Sequence, residues 1–305
     1  MTDPVPYPAP GGLERSCERE ETLRMVRTET HPDLEALHAR FTGDVFEPHR
    51  HDSYAIGLTL GGVQRFFYRG EERRSMPGQI LVLHPDEEHD GGAGSDASLV
   101  YAMLYVSPAL VTQAMPGGRG ALPFVPAPVL TDPALQSGLI GAFSALETAT
   151  AAPRPEDELA LTALLAGITD ALCRHSDSRA GGRPGSRVPL RQVERARSLL
   201  DDAVAAPLSA ADLEAATGLD RFSLSRAFRA VYGTSPHRYL LMRRLTFARR
   251  LIDGGLPLAQ VAAEAGFADQ SHLTRHFKKA FGLTPGRWNS LSSGTGAAAP
   301  LLTLP

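Results

Sequence analysis

The segment Val261-Ala262-Ala263-Glu264-Ala265-Gly266-Phe267-Ala268-Asp269-Gln270-Ser271-His272-Leu273-Thr274-Arg275-His276-Phe277 reads as two short helices joined by a tight turn. An alanine-rich helix stops at Gly266, where the left-handed conformation just past a helix end suits glycine. Phe267 then plugs the turn into a core. Asp269 is placed to cap the next helix by accepting bonds from its orphan amides. In that helix Leu273 and Phe277 stand four apart and face inward. The outward face carries Gln270, Ser271, Thr274, Arg275 and Lys278.

The same unit occurs earlier in the chain. Leu213 to Gly218 forms the first helix, Leu219 plugs the turn, Asp220 caps, and Leu224-Ser225-Arg226-Ala227-Phe228 repeats the Leu-x-Arg-x-Phe pattern. Its outward face carries Arg221, Phe222, Ser225, Arg226 and Arg229. Each copy is followed by a second glycine and a proline, Gly233 with Pro236 and Gly282 with Pro285. Between the copies Ser235 caps a long helix with Pro236 in its first turn, running to about Asp253 and carrying Arg243, Arg244, Arg249 and Arg250. A bundle with a merely solvated face needs the leucines and phenylalanines twice; it does not need the cap and the arginine twice at one offset. Two helix–turn–helix units with donor-rich outward faces suit major-groove reading, and a rigid spacer lets them enter successive grooves roughly 34 Å apart. The spacer arginines, Arg249 among them, are expected to add phosphate contacts.

Working outward, charge divides the chain. The whole has 31 basic and 34 acidic residues, a net −3 that alone argues against a nucleic-acid partner. Met1 to Ser186 holds 15 basic and 25 acidic residues, whereas Arg187 to Pro305 holds 16 and 9. The positive excess therefore sits with the repeat, and the Gly/Pro/Ser-rich stretch Ser176 to Pro189 at the boundary reads as a linker. The cysteines Cys17 and Cys173 suit neither a disulfide framework nor a metal site. With neither a signal-peptide pattern nor an apolar run of membrane-spanning length, a cytoplasmic location and no membrane partner are expected.

The acidic part reads as short strands between Gly and Pro turns, including Ala55–Leu60, Val63–Tyr68, Ile80–Leu83 and Leu99–Val106, which favours an antiparallel barrel or sandwich. Helices follow from Asp132-Pro133 to about Ala149 and from Pro155 to about His175. Leu161, Leu164, Leu165, Ile168 and Leu172 form one stripe on the second. That stripe suits packing on the protein's own sheet and a dimer seam equally.

His49-Arg50-His51 on a strand puts two rings on one side, and His84 and His89 follow Pro77-Gly78. Three readings stay open: a pocket for an organic ligand, a metal triad, or structural histidines. The pocket candidates are His49, His51, Tyr54, Phe66, His89 and Tyr101, with Arg65 as an anion partner. No catalytic constellation and no cofactor motif emerges.

The repeat, over about Leu190 to Leu291, resembles the AraC/XylS family of bacterial transcription regulators. Pro285-Gly286-Arg287-Trp288 is similar to the family's closing motif, with Asn289 where arginine is usual. The histidine motifs resemble a cupin, with Ala55 where a metal-binding cupin carries glutamate; His51 to Gly57 is similar to the sensing domain of one AraC-type subgroup. The resemblance implies base contacts from Phe222, Ser225 and Arg226 and from Gln270, Ser271, Thr274 and Arg275. It also implies double-stranded DNA, a small-molecule effector, RNA polymerase and a second copy of the chain as partners.

The expected fold is multidomain α+β. A flexible terminus (1–20) precedes a cupin-like ligand-sensing barrel (21–115), a helical dimerisation or packing segment (116–175) and a linker (176–189). An all-α double helix–turn–helix module (190–291) and a disordered tail (292–305) complete it. The expected function is a ligand-responsive, sequence-specific activator. The alternatives are a cupin-type oxygenase or isomerase with a DNA-binding tail, and a constitutive DNA-binding protein with an inert barrel. Arg275→Ala is expected to weaken specific binding by about 1–3 kcal/mol with the fold intact; equal affinity of variant and parent in a gel-shift titration on the target site refutes that role.

Overall fold

Leu99-Val100-Tyr101-Ala102-Met103-Leu104-Tyr105-Val106 is apolar at nearly every position because the strand it forms has no solvent face. The computed structural model describes residues 21–28, 31, 33–115, 122–151, 154–176 and 188–293. Ten strands are seen among them: β1 (Thr22–Arg27), β2 (Leu34–Phe41), β3 (Asp44–His49), β4 (Tyr54–Gly61), β5 (Gln64–Tyr68), β6 (Glu71–Ser75), β7 (Ile80–Leu83), β8 (His89–Ala93), β9 (Leu99–Val106) and β10 (Val129–Leu130). They form an antiparallel six-stranded sheet, β1-β2-β9-β4-β7-β10, and a four-stranded sheet, β3-β8-β5-β6. The sheets do not close on each other, so the expected barrel is corrected to a two-sheet sandwich.

Side-chain alternation gives the larger sheet two buried faces. Leu99, Tyr101 and Met103 face inward with Leu37, Ala55 and Leu81. Ala102, Leu104 and Val106 face outward with Tyr54, Ile56 and Val82. That outer face is covered by α2 (Pro133–Ala151) and α3 (Pro155–His175). The stripe Leu161, Leu165, Ile168 and Leu172 lies in this layer with Leu139 and Phe143. The stripe is thus buried against α2 in the layer over the protein's own sheet, with Leu164 half-buried beside Gly141. A short helix, α1 (Pro108–Ala114), capped by Ser107, connects the layers and was not read from the sequence.

The helical module comprises α4 (Leu190–Asp202), α5 (Ala210–Thr217), α6 (Arg221–Tyr232), α7 (Pro236–Asp253), α8 (Leu258–Glu264), α9 (Gln270–Phe281) and α10 (Pro285–Ser293). Asp220 accepts from the Phe222 and Ser223 amides, and Asp269 from that of His272. Gly218, Gly233, Gly266 and Gly282 all take positive φ. The first unit keeps its own core around Val193, Leu224 and Phe228. The second shares one continuous core with the sandwich, in which Leu273, Phe277 and Trp288 join Phe41, Tyr101 and Met103.

The expected flexible terminus 1–20 lies outside the described residues, as do most of the linker (177–187) and of the tail (294–305); Ser292 and Ser293 belong to α10. Leu165→Ala is expected to lower unfolding free energy by about 2–5 kcal/mol through the cavity it leaves. A loss in urea denaturation that does not depend on protein concentration is the signature of an intramolecular layer; a concentration-dependent loss points back to a dimer seam.

Candidate functional site

A cavity of about 100 Å³ lies where the inner face of the sandwich meets the helical module. The sandwich supplies Leu37, Phe41, Phe66, Leu81, Tyr101 and Met103, and the module supplies Met242, Arg243, Thr246, Arg249, Phe281 and Trp288. An apolar void of about 150 Å³ admits benzene. A space of about 100 Å³ is thus on the scale of a single ring.

Five of the expected pocket residues line this space: His49, His51, Phe66, His89 and Tyr101. Two are corrected. Tyr54 lies on the opposite face of β4, its hydroxyl donating to the Pro123 carbonyl at 2.9 Å, while Ala55 takes the cavity side. Arg65 points off the other sheet, because its neighbour Phe66 takes the inward position on β5, and it pairs with Asp44 and Glu72. His84 bonds the Val125 amide through Nε2, away from the cavity.

The three lining histidines converge because β3 pairs with β8 in a register that sets His49 opposite His89. Ring centroids lie 4.3 Å apart for His49–His89, 4.8 Å for His51–His89 and 6.2 Å for His49–His51. Burial pushes His49 down to about 4, and burial together with the neighbouring His49 pushes His51 down to about 3. His89 is held well below the ordinary range by burial and the other two rings. Among the described residues no group of three His, Cys, Asp or Glu side chains is arranged to hold a metal ion.

Opposite charges fasten the module across this cavity. Arg249, 4% exposed, pairs with Glu35 and stacks over Phe281 and Trp288. Arg243 pairs with Asp52 at 3.2 Å and Asp33 at 3.4 Å, Arg238 with Asp86 at 2.7 Å, and Arg27 with Asp253 at 3.0 Å. Arg287 pairs with Glu21. Arg249 is therefore no phosphate ligand in this arrangement, and the expected role is corrected. Arg244 is likewise spent on the carbonyls of Val204, Ala206 and Gly266. Sequence reading missed the module's share of the cavity, since no periodicity links residues this far apart. The split in charge was the available signal.

The outward faces of the two units are presented as the pattern requires. Arg221, Phe222, Arg226, Arg229, Gln270, Ser271 and Arg275 are exposed, and Ser225, Thr274 and Lys278 are half-buried. Arg221 is steadied by Glu214 at 3.1 Å. Lys278 is held at 2.7 Å by Glu47 of β3. The C-terminal ends of both outward helices abut the sandwich. A Cβ on Gly233 would lie 3.3 Å from Pro85, and one on Gly282 only 2.8 Å from His49 Nδ1. The Glu47 amide donates to the Gly282 carbonyl, and the Arg50 amide to that of Lys279.

Acid is expected to loosen this assembly. Burial raises the Glu35 pKa, but Arg249 and Arg27 outweigh it and hold the carboxylate below its usual range. Its contribution is present above the ordinary glutamate pKa and lost as pH falls through the lowered one. The histidines act earlier. Unfolded, they take protons below about 6.5, while folded they resist until about 4 or lower. Unfolding free energy from urea titrations should therefore fall steadily from pH 7 to pH 4.5; a flat profile contradicts neutral burial of the three rings.

A family model for the AraC-like ligand binding domain matches residues 31–168, and one for a helix-turn-helix domain matches 213–290. An uncharacterized HTH-type transcriptional regulator of Bacillus subtilis, YbfI, is 27% identical over 252 residues, 82% of this chain and 89% of that one. The virulence regulon transcriptional activator VirF of Yersinia enterocolitica is 35% identical over 69 residues, 22% of this chain and 26% of its own. The fold is similar to that of Vibrio cholerae ToxT solved with an unsaturated fatty acid bound, at TM-score 0.61 and 14% identity, covering 89% of this chain and 99% of that one. No helix among the described residues is long and apolar enough to cross a membrane. Duplicated helix–turn–helix units behind a ligand-binding sandwich, with both family models matched in that order, show that the chain belongs to the AraC/XylS family and is a DNA-binding transcription regulator.

Proposed function

We propose that the protein is a ligand-responsive activator in which one small organic effector, bound in the cavity, sets how the DNA-binding module is held. The observation that carries this reading is the cavity's shared wall: Arg243, Arg249, Phe281 and Trp288 come from the module, His49, His51, His89 and Tyr101 from the sandwich. An effector with different affinities for the docked and released arrangements shifts their populations by that difference and no more. DNA phosphate and Glu47 compete for Lys278, so docking and DNA contact are linked. By analogy with ToxT's fatty acid, the effector has an apolar body. Recruitment of RNA polymerase follows the activator role of relatives such as VirF. Pairing into a homodimer would use a face other than the buried α3 stripe, and Leu159 on that helix is 72% exposed. In domain terms, we assign residues 21–175 to sensing and packing and 190–291 to DNA contact; the ten outward residues read DNA.

Linkage gives the test. DNA sites are first mapped genome-wide, and affinity for one of them is then measured with and without a compound that binds the cavity. Reciprocity requires the compound and the DNA to change each other's affinity by one factor; DNA affinity that ignores a bound compound sinks the proposal. Glu47→Gln should raise DNA affinity by up to about fivefold, the scale of one exposed ion pair. It should also steepen the salt dependence by about one phosphate contact. An unaltered slope removes Lys278 from the competition.

A further inference from the structure

The three cavity histidines differ from ordinary buried histidines in what their free nitrogens lack. His49 Nδ1 lies 2.8 Å from the Glu47 carbonyl, His51 Nδ1 2.8 Å from that of Ser53, and His89 Nδ1 3.0 Å from that of Glu87. A carbonyl only accepts, so each Nδ1 carries the proton and donates it. Each Nε2 is left as a lone-pair acceptor. Among the described residues none of the three Nε2 atoms has a hydrogen-bond partner, and that of His51 is fully buried without one. The residues themselves are 5–8% exposed. One backbone device thus repeats at three rings, and at His51 it leaves a fully buried acceptor with no donor, which is costly unless a ligand supplies one.

Charge narrows the ligand class. The arginine charges at the cavity are answered within the protein, Arg249 by Glu35 and Arg243 by Asp52 and Asp33. Among the described residues the Nε of each is buried without a hydrogen-bond partner and can donate to a hydroxyl oxygen, and the lining Asp90 accepts from the Phe67 amide. The burial that keeps the imidazoles neutral equally disfavours an added unpaired charge. A metal ion would suit three neutral imidazoles, but Ala55 faces the cavity where a carboxylate would complete such a set, and no described group is arranged for one.

Resting on the reading of the cavity as the effector site, we propose that His49, His51 and His89 form an acceptor cluster for the hydroxyl donors of an uncharged effector, a vicinal diol or polyol head on an apolar body. The head sits against the imidazoles and the body against Phe66, Leu81 and Met103. Trp288, the single tryptophan of the chain, lines the same cavity and reports its occupancy.

The experiment titrates the full-length protein with cis-cyclohexane-1,2-diol, with its dimethyl ether and with zinc chloride, reading Trp288 fluorescence and the ¹⁵N shifts of the histidine side chains. The diol should bind about tenfold tighter than the ether, the worth of one or two net hydrogen bonds, and should move the Nε2 resonances of all three rings. His51→Phe should lower diol affinity several-fold more than ether affinity; the shifts of the parent protein stand as evidence even where that variant fails to fold. Equal affinity of diol and ether, or diol binding that leaves Nε2 unmoved, overturns the donor assignment while keeping the cavity as an effector site. Stoichiometric zinc on the three Nε2 atoms overturns it in favour of a metal centre. Silence of Trp288 and of the Nε2 shifts toward both organic probes overturns it together with the effector reading.

Discussion

The buried contact between Arg249 of α7 and Glu35 of β2 is the constraint on which the arrangement of this molecule depends. Taking both charges out of water is expensive, and the attraction repays it only with good geometry and further partners. Those partners are present, with Arg27 beside the carboxylate and the rings of Phe281 and Trp288 against the guanidinium. A mismatched docking would strand one charge in the interior, a far larger penalty than a poor apolar contact. The pair therefore acts chiefly as a register pin. It sets α7 against β2, and α9, α10 and the closure of the cavity follow.

Around the pin the sign split of the sequence finds a second use. Arg238, Arg243, Lys278 and Arg287 all meet acids of the amino-terminal part. A positive excess that belongs in general terms to DNA is here shared with an internal acidic surface. Such pairs are individually weak where solvent reaches them. Their number gives direction to the docking more than strength, and they leave the module able to exchange one anionic partner for another.

Much of the fold is legible in the sequence where one periodicity governs. The duplicated cap, turn and Leu-x-Arg-x-Phe unit, the spacer Pro236–Asp253 and the helix Pro155–His175 all emerge with their bounds. The short strands β1, β6 and β8 do not, because five or six residues with mixed exposure carry no clear alternation. Tyr54 and Arg65 illustrate the limit at the site. Arg65 sits on a strand read from the sequence and Tyr54 just before one. An aromatic residue such as Tyr54 gains equally on either side of a sheet buried on both faces, and nothing local tells which side of β5 meets the cavity. Parity relative to the cavity becomes visible only once β4 is registered against β9. The histidine cluster is the reverse case: His-x-His proclaims a shared face, but the neutral tautomers follow from backbone carbonyls that no motif encodes.

The glycines that close the two outward helices carry a consequence for the modularity of this architecture. Gly233 and Gly282 are held twice over, by left-handed backbone and by the sandwich pressed against the space a Cβ would fill. Part of the pattern that marks the DNA-binding repeat is thus a record of its fit to the neighbouring domain. Grafted behind a foreign sensor, the module would keep its helices and its DNA face but lose the surface against which their ends are seated. The two domains are in this sense one matched pair of parts, and exchange between regulators would have to carry β3 along with the helices that rest on it.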